Sequence, residues 1–195
     1  ASTRVDSRFT PGSHPVKAIS AIRRQALIAL EGKGMAGVPG VAARLFGALA
    51  ERGGNVTLIS QSSAESSICL AVAEAEAEAA EAALKAAFRQ ELSRGDVEEI
   101  ATRRGVALVA AVGLGMAHMP GVAARVFDAL GRRRVNVLAI AQGSSELNIS
   151  LAVDEVEMNA AIYAIHEEFG LHRLDTGVEA ERGMDVLLLG AGKIG

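Results

Sequence analysis

With 195 residues the chain has room for one or two small domains. Half of its residues are apolar, yet aromatics make up 3% and tryptophan is absent, so Ala, Val, Leu and Ile must fill any core; such a core suits thin helix-on-sheet layers. A formal net charge of -3, no basic cluster among stacking aromatics, and no apolar run of the ~18–20 residues that span a bilayer argue against nucleic acid and membrane partners.

Residues 1–15 carry no apolar signal core, which makes the expected compartment cytoplasmic. Past Pro11-Gly12-Ser13-His14-Pro15, residues 16–22 form a strand-like run within an extra segment, 16–24. A first module is expected over 25–103. It opens with an apolar strand, 25–31, closed by a Gly-rich loop, 32–37. Pro39 is expected in the first turn of the helix that follows, where its missing N–H is harmless. Val41, Leu45, Phe46 and Leu49 then recur at helical spacing. Strands at 56–60 and 67–73 make a hairpin around a polar turn with Ser63 and Glu65. Cys69, the only cysteine, alternates into the second of these as a small strand residue, with no base beside it in sequence. A helix at 75–92, whose Glu spacing marks a solvated face rather than a metal cluster, precedes a closing edge strand at 96–101.

A second module, expected over 104–180, repeats this order. Residues 27–72 align with 108–153 at an offset of about 81, with about 26 of 46 positions identical. Met35 matches Met116, Pro39-Gly40-Val41 matches Pro120-Gly121-Val122, and Gln61 through Glu65 matches Gln142 through Glu146. The run Arg132-Arg133-Arg134 follows the second copy's first helix, where it complements the helix C-terminal dipole and faces water. Each copy thus reads β-α-β-β-α-β, so the fold class is α+β: two tandem ferredoxin-like modules, antiparallel sheets with both helices on one face. The second copy lacks a clear last strand. Residues 171–178 are one candidate, and 16–22 are another; the latter would make the second module discontinuous, with the first inserted into it.

Residues 181–195 hold a strand-like run, 184–189, and then Gly190-Ala191-Gly192-Lys193-Ile194-Gly195. A strand followed by G-x-G-x-x-G is the dinucleotide fingerprint, with Gly190, Gly192 and Gly195 as its cofactor-binding glycines. The helix that would hold the pyrophosphate does not follow, so the motif reads as the truncated start of a Rossmann dehydrogenase domain.

The paired Gly-x-Gly-Met and Pro-Gly loops, with Ile59-Ser60-Gln61-Ser62-Ser63-Ala64-Glu65 and Ile140-Ala141-Gln142-Gly143-Ser144-Ser145-Glu146, resemble the regulatory ACT modules of aspartate kinases. They are most similar to those of the bifunctional aspartokinase–homoserine dehydrogenases. The resemblance implies allosteric feedback inhibition, by threonine in the bifunctional enzymes, and pairing of modules in a homo-oligomer. It implies a parent enzyme that uses ATP and NAD(P), with residues 1–15 as the tail of its kinase domain or a linker, and no cofactor in this segment. It puts the effector contacts at Gln61 and Gln142, each preceded by Ile59 or Ile140.

Elementary chemistry adds to this reading. A free amino acid needs acceptors for its ammonium and donors for its carboxylate. A Gln amide offers both, and so do main-chain groups near Gly34, Met35, Gly115 and Met116, where glycine leaves the backbone open to a ligand. Asn55 and Asn136 can do the same, or simply bond their own turns. The competing readings are a ligand-free module that only dimerises or bridges catalytic domains, and, within the same resemblance, a lysine-responsive aspartokinase regulatory segment. An enzyme in its own right ranks last, because no nucleophile–base or paired-carboxylate arrangement recurs across the copies. None of His14, His118, His166 and His172 occupies the same position in both, and His166 and His172 are expected at the surface near a helix end.

Overall fold

The computed structural model describes residues 15–171. They form two compact units, an inner module of residues 23–107 and an outer module of residues 15–22 with 108–171. In chain order the elements are β1 (Ala18–Glu31), α1 (Val41–Ala50), β2 (Val56–Gln61), β3 (Ser67–Ala73), α2 (Ala77–Ala87), α3 (Arg89–Arg94) and β4 (Glu99–Val112), then α4 (Val122–Arg132), β5 (Val137–Gln142), β6 (Asn148–Asp154) and α5 (Met158–Glu168).

In the inner module the strands lie in the order β2-β3-β1-β4. β3 is antiparallel to β1, with Gln25 opposite Ala73 and Glu31 opposite Ser67, and also to β2, with Gln61 opposite Ile68. Alternation sends Ile28, Leu30, Ile68, Leu70 and Val72 to one face, where Leu45 and Leu49 of α1 and Leu84 of α2 meet them in a core closed to solvent. In the outer module the order is β5-β6-β4-β1. There β5 and β6 pair antiparallel, Lys17 N–H donates to Val112 O at 2.8 Å, and α4 packs on α5.

Several elements differ from the sequence reading, each for a local reason. The runs 16–22 and 25–31 are parts of one 14-residue strand, and 96–101 is part of another with the apolar run that opens the second module, apart from their first residues. Arg23-Arg24 and Arg103-Arg104, at the joins between these runs, are exposed strand positions, and the chain turns left-handed at Arg24 (φ 53°) and Gly105 (φ 68°) without leaving the sheet. The clasp at the first is the buried Gln25, whose Nε2 donates to the carbonyls of Arg23 and Arg24 while its Oε1 accepts from the Thr57 hydroxyl at 2.9 Å. Pro39 lies in the turn before α1, not inside it. Gly40 at φ 86° is the N-cap, a left-handed setting that glycine adopts at least strain. The single helix expected at 75–92 is broken at Phe88, which is fully buried, and α3 ends at the left-handed Gly95.

The three arginines at the end of α4 do more than face water. Arg133 pairs with Glu167 at 2.7 Å, and Arg132 bonds Asp128 and Glu168. Arg134 takes the left-handed position after the helix that Gly53 fills in the inner module. Arg125 lies 4.4 Å over the Phe169 ring and bonds Glu168 at 2.8 Å; Arg44 lies 4.2 Å over Phe88 and bonds Glu91 at 2.8 Å. The Arg125 hydrogen bond, then that of Arg132, holds the Glu168 carboxyl below its ordinary range against the opposing effect of burial. A carboxyl whose pKa is lower folded than unfolded stabilises the fold fully above the unfolded value and loses that contribution as pH falls through the folded one. Arg125→Gln is therefore expected to lower stability at pH 7 by about 1 kcal/mol, a difference that shrinks as pH falls from neutral into the acid range. Thermal melts of both proteins across that range check it.

Candidate functional site

A cleft recurs at the same place in the two modules, where the end of the edge strand meets the start of the first helix. The inner cleft is about 420 Å³ and the outer one about 460 Å³. Met35 and Ile68, 4% and 3% exposed, form the apolar floor of the first, and Met116 and Ile149, 3% and 1% exposed, that of the second.

The polar wall comes from the hairpin. Gln61 ends β2, and the turn beyond it closes by Ser62 N–H to Ser67 O (3.0 Å) and Glu65 N–H to Ser62 O (3.0 Å), with Glu65 left-handed at φ 56°. That turn aims the Glu65 carboxylate back at the loop after β1, where its Oε2 accepts the Gly37 N–H at 3.0 Å. The outer module repeats the clasp: Glu146, at φ 55°, accepts the His118 N–H at 2.7 Å beside Gln142. The opposite wall is a helix start. Gly40 and Gly121 cap α1 and α4 with no side chain, and the first intrahelical bonds are those of Arg44 N–H to Gly40 O and Arg125 N–H to Gly121 O. The amides of the intervening first turn are thus left over by the helix at its positive end, with Val41 and Val122 lining the clefts. A carboxylate, an amide and an uncapped helix N-terminus facing one small cleft match the two poles of a zwitterion.

Of the residues singled out in the sequence, Gln61, Met35, Gln142 and Met116 line these clefts. Ile59 and Ile140, 49% and 45% exposed, stand two residues before the glutamines on the same strand face but do not line them. Gly34 serves the chain itself. Its N–H donates to Asp96 O at 3.1 Å, and a Cβ there would come within 2.5 Å of the Asp96 backbone. Gly115 is half-buried outside the outer cleft. Asn55 and Asn136 sit at the far ends of β2 and β5, where their backbone N–H groups donate to Glu76 and Glu157. Gly190, Gly192 and Gly195, most of 171–178, His14 and His172 lie outside the described residues. His118 lines the outer cleft, and His166 is half-buried near the end of α5. Sequence reasoning passed over the two glutamates as site groups, although each recurs four residues after its glutamine in both repeats.

Burial, then the Glu31 carboxylate, pushes the Cys69 thiol up, away from the thiolate a nucleophile needs. Among the described residues no group of three or more His, Cys, Asp or Glu could hold a metal ion, and no helix is long and apolar enough to cross a membrane.

Comparison with known proteins agrees with the repeat. The ACT domain family matches residues 28–88 and 109–169. A bifunctional aspartokinase/homoserine dehydrogenase of Daucus carota, chloroplastic, is 45% identical over 163 residues, which are 84% of this chain and 18% of that protein. The chain therefore spans less than a fifth of that relative's length. The regulatory subunit of aspartate kinase from Thermus thermophilus, in its ligand-free form, is 30% identical with a TM-score of 0.65, over 80% of this chain and 99% of that one. Aspartokinase III of E. coli is 26% identical with a TM-score of 0.62, over 83% of this chain and 34% of that one. The chain is a tandem pair of ACT domains and belongs to the family of aspartate kinase regulatory segments.

Proposed function

We propose that the two clefts are effector sites for a free amino acid, and that occupancy inhibits the catalytic domains of an aspartokinase–homoserine dehydrogenase. One observation carries the reading: in both modules a carboxylate, a glutamine amide and an uncapped helix N-terminus face the same small cleft. Glu65 or Glu146 takes the ligand ammonium, the helix amides its carboxylate, and Gln61 or Gln142 orients it between them. Threonine is the favoured effector. The parent enzyme uses ATP and NAD(P) in the cytoplasm and assembles as a homo-oligomer through its ACT modules; residues 181–195 begin its dehydrogenase domain.

A ligand inhibits only by binding the low-activity state more tightly than the active one. Replacing both Gln61 and Gln142 by Ala in the enzyme that contains this chain is expected to relieve threonine inhibition of the kinase. Undiminished inhibition in that double variant would falsify the assignment.

Lysine is the second reading, because the related E. coli aspartokinase III structure holds lysine and aspartate. Thermal melts of the chain separate the two. A hundredfold excess over Kd stabilises by about 2.7 kcal/mol, so the true effector raises Tm and the other does not. A melting point indifferent to both favours the ligand-free module.

A further inference from the structure

The two clefts are nearly the same cleft built twice. Eight of the ten lining positions carry identical residues in the two modules, and the differences fall side by side, Gly37 and Val38 against His118 and Met119. Any difference in what the clefts' own walls select must come from this pair.

Position 118 is also the odder of the two. Gly37 has φ 72° and His118 φ 59°, so both modules require a left-handed residue there. Glycine meets that requirement freely, whereas a side chain with a Cβ is disfavoured there. A strained residue that lines a binding cleft invites a functional reading. Its backbone work explains nothing about its side chain, since Gly37 makes the same N–H bond to a glutamate without one. What His118 adds is an imidazole with a donor and an acceptor, next to the longer, apolar Met119.

We infer that His118, with Met119, makes the outer cleft selective for a β-hydroxy amino acid over its apolar isostere, while the inner cleft does not discriminate between them. This rests on the reading of both clefts as amino-acid sites. The imidazole supplies the hydrogen-bond partner that a side-chain hydroxyl needs, and Met119 contacts the methyl group of the same side chain. Among the described residues Glu146 is the only other titratable group lining the cleft, and it is committed to the ligand ammonium. A glycine at the corresponding inner position has nothing to offer a hydroxyl, so threonine and valine are equivalent there.

The test is a site-resolved titration of the isotope-labelled 195-residue chain with threonine and with valine, followed by NMR at the backbone amides of residues 37 and 118. Residue 118 is expected to half-saturate at about tenfold lower threonine than valine, and residue 37 at equal concentrations of the two. Exchanging the pairs is the decisive step. H118G/M119V should abolish the outer preference, and G37H/V38M should confer it on the inner cleft. Room exists for the second exchange, because a Cβ on Gly37 meets no atom within 4 Å. A preference that stays with its module after the exchange overturns the inference, as does equal affinity in the unaltered outer cleft. If neither amide responds to either amino acid, the effector reading itself fails and takes this one with it.

Discussion

Gly113→Ala is expected to lower stability by about 3 kcal/mol, and Gly32→Ala by a similar amount, because each methyl group lands on backbone that has no slack. A Cβ on Gly113 would sit 2.0 Å from Pro15 O and 2.9 Å from Val16 Cα. On Gly32 it would sit 2.3 Å from Asp96 O and 2.6 Å from Val97 Cα. Neither glycine is needed for its own dihedrals, since φ is 178° and 170°, extended values that any residue adopts. The requirement is purely for closeness. Each sits where the chain leaves a long strand, beside the segment that enters the neighbouring one, and hydrogen bonds hold the two together: Lys17 N–H to Val112 O in the outer module, and Glu98 N–H to Glu31 O and Gly34 N–H to Asp96 O in the inner. Admitting a methyl group means stretching those bonds. For a chain of this size the loss corresponds to a fall in Tm of roughly 6–12 °C. Gly47→Ala is the internal control. It lies within α1 with nothing within 4 Å of an added Cβ, so there alanine is expected to raise Tm slightly. A melt in which Gly113→Ala and Gly47→Ala behave alike would refute the packing argument.

This pair of glycines also marks how far the sequence could be read. The repeat, the order of elements and the glutamines at the strand ends were all legible, because duplication prints each one twice and the apolar alternation is regular. Strand length was not. Arg23-Arg24 and Arg103-Arg104-Gly105 have the composition of a break, yet they are exposed strand residues, and backbone pairing that continues past a polar stretch leaves no mark in the hydrophobic pattern. The need for closeness at Gly34 was legible, but its neighbour in the fold was not. The reading looked for a ligand, and the structure supplies Asp96, more than sixty residues away along the chain. Glu65 and Glu146 were visible as part of a motif; their use as clasps depends on a left-handed turn that reverses the side chain towards the loop after the first strand, which spacing alone does not reveal.

Those clasps carry the prediction with the largest effect on binding. Glu65→Gln and Glu146→Gln are expected to weaken amino-acid binding in their own cleft by about 2 kcal/mol, or about thirtyfold, while the melting point without ligand changes little. The amide keeps an oxygen that can accept the Gly37 or His118 N–H, so the loop stays closed; what disappears is the negative charge opposite the ligand ammonium. Glu→Ala at the same positions removes charge and clasp together. If the loop must be held for the helix amides to meet the ligand carboxylate, alanine weakens binding further than glutamine does. If the carboxylate acts on the ammonium alone, the two substitutions are equivalent. Calorimetric titration of both variants at each site distinguishes these cases. Binding untouched by Glu→Gln would leave the carboxylates as mere loop fasteners and move the ammonium pole elsewhere in the cleft. The distinction matters for regulation, because a group that bonds both the ligand and the loop after the first strand gives occupancy a direct hold on that loop. A ligand shifts a conformational equilibrium only through interactions that differ between the two states.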